Sequence, residues 1–101
     1  MNTDTSMAAP VRMEPELTIY SAAQVHQLLM AMLQSGAVLE LDLADVCEID
    51  SAGVQLLVAA RREAAARGGA LTLCGHSPAV QDAFALLGLD AQCAPLHSTL
   101  N

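Results

Sequence analysis

Three places in this 101-residue chain hold groups that could do chemistry. Asp50-Ser51-Ala52-Gly53 sets a carboxylate and a hydroxyl where an apolar run gives way to a helical period. Cys74-x-His76 pairs a thiol with an imidazole, and Gly68-Gly69 offers bare backbone. A metal centre needs three or four ligands. Cys47, Cys93, His26 and His97 supply no second pair at ligand spacing, so Cys74 and His76 read as a buried small thiol beside a loop imidazole. No metal site is expected. The two glycines follow a helical run instead of opening one, which is the wrong polarity for a phosphate cradle. An enzyme using Ser51 as nucleophile needs a base beside the hydroxyl and a third group to orient that base. No such set can be assembled, so no catalytic residue and no cofactor is expected.

Asp50 and Ser51 have a plain structural role open to them as helix-capping residues. What the position adds is phosphate acceptance. A hydroxyl in the first turn of a helix points outward, and a phosphate there meets free backbone N–H groups and the positive end of the helix dipole. It would add roughly two negative charges beside Glu48 and Asp50 without unfolding the domain. Its effect would fall on a partner surface.

The elements that must position this junction follow from periodicity. Val11 to Glu14, bracketed by Pro10 and Pro15, can be an edge strand at most, because proline donates nothing to a ladder. Glu16 to Tyr20 suits a second short strand or extended arm. Ser21 with Gln24 has the form of a capping box, and Val25, Leu28, Leu29, Met32 and Leu33 fall on one face of a helix ending near Ser35-Gly36. From Val38 the period is two, with Leu39, Leu41 and Leu43 inward and Glu40 and Asp42 outward. Val46 to Ile49 leads into the junction. The helix after it is apolar nearly all round to Ala60 and polar from Arg61 to Arg67, with Glu63 and Arg67 four apart. Ala70 to Cys74 is another strand. Ser77-Pro78 opens a third helix with Val80, Ala83, Phe84 and Leu87 inward, closed by Gly88 and Leu89. A short strand is expected near Gln92 to Ala94.

Strands and helices in short alternation predict an α/β fold, a small, mixed, mostly parallel sheet. Because Glu40 and Asp42 need a wet face, the helices should pack mainly on one side. The expected organisation is a disordered tail over residues 1–10, one domain over 11–95 and a C-terminal tail over 96–101.

Composition narrows the partners. Eleven acidic residues against four arginines give a net charge of −7 and a pI near 4.5. That repels nucleic acid and anionic membrane surfaces. With 53% hydrophobic residues and a mean hydropathy of +0.40, the chain must build a core. Tyr20 and Phe84 are its only aromatics, so the core is aliphatic. The uncharged stretch from Leu17 to Leu39 is interrupted by Gln, Ser, Thr and His and is no membrane helix. Three cysteines without a C-x-x-C suit a reducing cytoplasm.

In order and spacing, Leu39-Glu40-Leu41-Asp42-Leu43, Ile49-Asp50-Ser51-Ala52-Gly53, Gly68-Gly69, Leu71-Thr72-Leu73, Ser77-Pro78-Ala79-Val80 and Leu86-Leu87-Gly88-Leu89 resemble the STAS domain family, over about residues 16 to 94. The resemblance implies a non-enzymatic, protein-binding regulatory domain of bacterial cytoplasmic signal transduction, similar to the anti-sigma factor antagonists. In those proteins the Ser after the Asp, which matches Ser51, is phosphorylated by an anti-sigma factor serine kinase, and the unphosphorylated form binds that kinase or a related regulator. The contact surface it implies here is Asp50, Ser51, Ala52, Gly53 and Val54. Members often carry G-E-L-D before the first helix. This chain has Pro15-Glu16-Leu17-Thr18, with a threonine replacing the acidic residue that helps contact the kinase. The alternative implied role is a constitutive accessory subunit, similar to the small STAS component that grips the ATPase subunit of phospholipid-transporting ABC complexes.

Overall fold

The computed structural model describes residues 10–96. The expected tails therefore lie, apart from Pro10 and Leu96, outside the described residues, as does His97. Five short strands and three helices follow in the order β1 (Val11–Arg12), β2 (Glu16–Leu17), α1 (Ala22–Met32), β3 (Val38–Asp42), β4 (Glu48–Ile49), α2 (Ser51–Ala66), β5 (Ala70–Cys74) and α3 (Pro78–Leu86). They form a compact α/β fold with two small sheets, β1-β3-β5 and β2-β4, each parallel throughout. The antiparallel component is a single bridge between Leu89 and Pro95.

The alternation in β3 and β5 dictates which face is dry. Leu39 pairs with Leu71 and Leu41 with Leu73 across the ladder, and Leu41, Leu43, Leu71 and Leu73 are buried. Glu40 and Thr72, one residue out of phase, are exposed. The dry face meets α2, whose Val54, Leu56, Leu57, Ala60 and Ala64 are buried. Arg12 on edge strand β1 reaches Asp45 at 3.1 Å and lies 4.0 Å from Asp42, so β1 is tied to the loop after β3.

Helix α1 packs chiefly on α2. A helix seated on one neighbouring helix hides a narrower stripe than one pressed on a sheet. Val25, Leu29 and Leu33 are accordingly buried, while Leu28, expected on the same face, is 58% exposed. The capping box also does not form. Ser21 already has helical dihedrals, and its Oγ accepts from the Thr18 N–H and donates to the Glu16 carbonyl, both at 3.0 Å. The reason is local: the Ser21 and Ala22 amides both donate to the Thr18 carbonyl, so a turn runs straight into the helix and leaves no gap for a side-chain cap. At the other end, Arg67, the C-cap of α2, besides its 2.7 Å pair with Glu63, donates to the Leu33 and Met30 carbonyls. It thereby satisfies orphan acceptors of α1.

Helix α3 begins and ends as its sequence predicts. Ser77 Oγ accepts from the Val80 amide at 3.2 Å and donates to the Val46 carbonyl. Gly88, at φ +70°, allows the Leu89 N–H to reach the Phe84 carbonyl at 2.9 Å and its own N–H to reach Ala85 at 3.1 Å, the paired bonds of a Schellman ending. Leu87, expected inside, is the residue where the chain leaves the helix and is 44% exposed.

The short strand expected near Gln92 to Ala94 is absent. Asp90 Oδ1 accepts from the Gln92 and Ala94 amides and folds the segment into a turn, with Cys93 at φ +64°. Strand β5 is instead completed by one side chain: the Gln92 amide accepts from the Leu73 N–H at 2.9 Å and donates to the Leu73 carbonyl at 2.8 Å. Among the described residues no helix is long and apolar enough to cross a membrane.

Ser77 is buried with both its bonds made inside the fold. Ser77→Ala removes a cap and strands the Val46 carbonyl, and urea denaturation should show a loss of about 1–3 kcal/mol. A change within about 0.5 kcal/mol, ordinary for a surface substitution, would contradict that role.

Candidate functional site

Strands β2 and β4 are two residues each, yet they carry the site. Their parallel register sets Glu16 opposite Glu48 and Leu17 opposite Ile49. The chain leaving each strand therefore emerges side by side, with Thr18 to Tyr20 next to Asp50 and Ser51. The Asp50 N–H approaches the Leu17 carbonyl at 3.4 Å and continues the ladder weakly.

Asp50 holds the two segments together. Its Oδ1 accepts from the Gly53 N–H at 3.0 Å, capping α2, and its Oδ2 accepts from the Ile19 N–H at 3.0 Å. These bonds, that from Ile19 first and that from Gly53 second, favour the ionised form and hold the carboxyl below the usual carboxylate range against a smaller opposing effect of burial. At Gly53 helix α2 passes close against β2: a Cβ there would run into the Leu17 carbonyl oxygen. The residue is glycine because backbone passes against backbone.

Ser51 is the first residue of α2 and is exposed. Among the described residues its hydroxyl has no hydrogen-bond partner. Ala52 and Asp50 are half-buried. Gly53 and Val54, also expected in the contact surface, are buried, Val54 completely. Their role at the junction is to seat the helix, and the side chains open to a visitor are those of Asp50, Ser51 and Ala52.

The sequence reading missed the other half of this surface. Ile19 is 66% and Tyr20 90% exposed, directly after the strand that pairs with β4. The signal was present in the composition, since one of the chain's two aromatics stands in a short segment with no room to turn both neighbours inward. The acidity around the junction is also thinner than the run Glu40, Asp42, Asp45, Glu48 and Asp50 suggests. Arg12 engages Asp42 and Asp45, and Glu40 lies on the wet face of β3.

The remaining reactive groups stand apart from it. Among the described residues no three His, Cys, Asp or Glu side chains gather as a metal site. His76 Nε2 is hydrogen-bonded to the Ala91 carbonyl, and its ring meets Phe84 edge-on at 5.8 Å. Cys74 is half-buried. Its thiol is pushed up by burial first and then by Glu40 and Asp42. Burial pushes Cys93 up to about 11, which leaves it a packing thiol and a poor nucleophile.

A two-layer α/β domain presenting an exposed hydroxyl and neighbouring apolar groups at a strand-to-helix junction is built as a binding module. The family model described as "Mlab, STAS domain" matches residues 2–98, and the chain belongs to the STAS domain family. Domains of this family act generally as binding domains, through protein–protein contact. A search of the curated proteins finds no match.

Two outcomes follow from the junction. Gly53→Ala forces α2 away from β2 and should cost about 1–3 kcal/mol in denaturant titration, the usual range for overpacking; wild-type stability would show that the approach is slack. Asp50→Asn probes the cap. A carboxyl whose pKa is lowered by folding contributes stability above its unfolded pKa and loses it as pH falls through the folded one. Wild type should therefore exceed Asp50→Asn at neutral pH, and the gap should close in acid. A gap independent of pH would rule out the charged hydrogen bonds as its source.

Proposed function

We propose that this chain is a protein-binding regulatory domain of the anti-sigma factor antagonist type, whose partner docks at the junction of β4 and α2 and is controlled by phosphorylation of Ser51. The observation that carries the reading is the placement of Ser51: exposed, in the first turn of α2, beside a carboxylate already committed to the Ile19 and Gly53 amides. A phosphate there is held by the free amides and dipole of the helix start. It brings roughly two negative charges against Asp50 and Glu48. A partner surface matched to the neutral hydroxyl then meets repulsion and a changed shape. The partner in this reading is an anti-sigma factor serine kinase or a related regulator.

A second reading has one observation in its favour, the description of the matching family model as the Mlab STAS domain. In it the same face permanently grips the ATPase subunit of a phospholipid-transporting ABC complex, and Ser51 carries no phosphate. The two differ in whether Ser51 turns over.

Incubation with the cognate serine kinase and ATP, followed by mass spectrometry, should place one phosphate on Ser51. Ser51→Asp should weaken partner binding by about 1–3 kcal/mol, the usual size of a regulatory coupling, while Ser51→Ala binds and cannot be switched off. Equal affinity of the two variants would sink the switch. An unmodified chain that copurifies stoichiometrically with the ATPase subunit selects the second reading.

A further inference from the structure

Ile19 and Tyr20 are consecutive, apolar and largely bare of neighbours, but they are not loose. The Ile19 N–H is held by Asp50 at 3.0 Å and the Tyr20 N–H by Thr18 Oγ1 at 3.2 Å. That hydroxyl in turn donates to the Glu16 carboxylate at 2.6 Å. Side chains displayed on a pinned turn lose little freedom on binding, and tyrosine is among the residues that most often dominate interface energies.

What would cover them is indicated by the charge beside them. A cleft of about 460 Å³ adjoins the turn, lined by Glu14, Pro15, Glu16, Ser21, Gln24 and Glu48. Among the described residues it holds three carboxylates and no basic group. Glu16 and Glu48 sit at directly paired positions of the parallel strands β2 and β4, so two like charges line the cleft from neighbouring strands. The chain's own arginines do not offset them. Arg12 is engaged with Asp42 and Asp45, Arg67 with Glu63, and Arg61 and Arg62 line a separate cleft beside Gly69 to Thr72. None of the four arginines is therefore placed against the cleft.

We infer that Ile19 and Tyr20 are the anchors of a docking surface for a basic protein segment, one that lays an apolar side chain on this pair and an arginine or lysine in the Glu14–Glu16–Glu48 cleft. Arginine suits the cleft best, because its planar fork bonds a carboxylate through two donors at once. The inference rests on the reading of the junction as a partner-contact surface, and it names the chemistry of that partner.

The test is a titration of the isotopically labelled full chain with a short synthetic peptide of arginine and leucine, followed by NMR amide shifts. A control peptide carries glutamine at every arginine. Shifts should concentrate at Glu16, Thr18, Ile19, Tyr20 and Glu48. Tyr20→Ser and the double variant Glu16→Gln/Glu48→Gln should each weaken binding by about tenfold, equivalent to about 1.4 kcal/mol. Glu40→Gln/Asp82→Asn, which removes as much charge elsewhere, should leave it unchanged. The inference is overturned if the control peptide binds equally well, if both charge variants weaken binding alike, or if the shifts gather at Leu86, Leu87 and Leu96. It is also overturned if the same amides shift with protein concentration alone, since a second copy would then be the occupant. Ser51→Asp measured on the same peptide separates the two ideas: no effect, with the shifts in place, removes the switch and leaves the docking surface standing.

Discussion

No side chain fits between the first turn of α2 and the carbonyl of Leu17. Because residue 53 is glycine, helix and strand meet backbone to backbone, and that approach brings the Asp50 carboxylate within reach of the Ile19 amide. Asp50 can then use one oxygen for its own helix and the other for the neighbouring segment. The placement of Ser51 beside Ile19 and Tyr20, and the depth to which Val54 is sunk, depend on this contact. Two strands of two residues each would not hold such a surface by ladder bonds alone.

The larger sheet works by a different economy. Its inward leucines are set by strict alternation in β3 and β5, and its outward positions are free to be acidic because the sheet is covered on one side only. The net charge of the chain is thereby spread over two environments. Part is neutralised by Arg12 near the end of β3. Another part, at Glu14, Glu16 and Glu48, stands around a cleft that no cation lines among the described residues.

Periodicity and capping chemistry made much of this legible in the sequence. Strands β3 and β5, the three helices, the Glu63–Arg67 pair and the Ser77 cap each depend on residues close along the chain, where spacing is informative. The exposure of Leu28 was not legible, because it depends on what α1 leans against. Nor was the failure of the Ser21 capping box, decided by a turn at Thr18 that already occupies the amides. The Asp50–Ile19 bond joins residues 31 apart, and no local pattern announces it. Ser51 could be singled out from its neighbours in sequence; that Ile19 and Tyr20 stand beside it follows from the pairing of β2 with β4.

Gln92 carries a consequence for the molecule as a whole. A primary amide offers one donor face and one acceptor in nearly the geometry of a peptide bond, so at Leu73 it imitates a strand one residue long. A real strand would hand its own far side on to the next comer, and the sheet could grow. A side-chain amide has no far side of that kind. Strand β5 is thus finished by a chain terminator in the polymer sense, and the sheet's pairing capacity at that position is consumed without creating more.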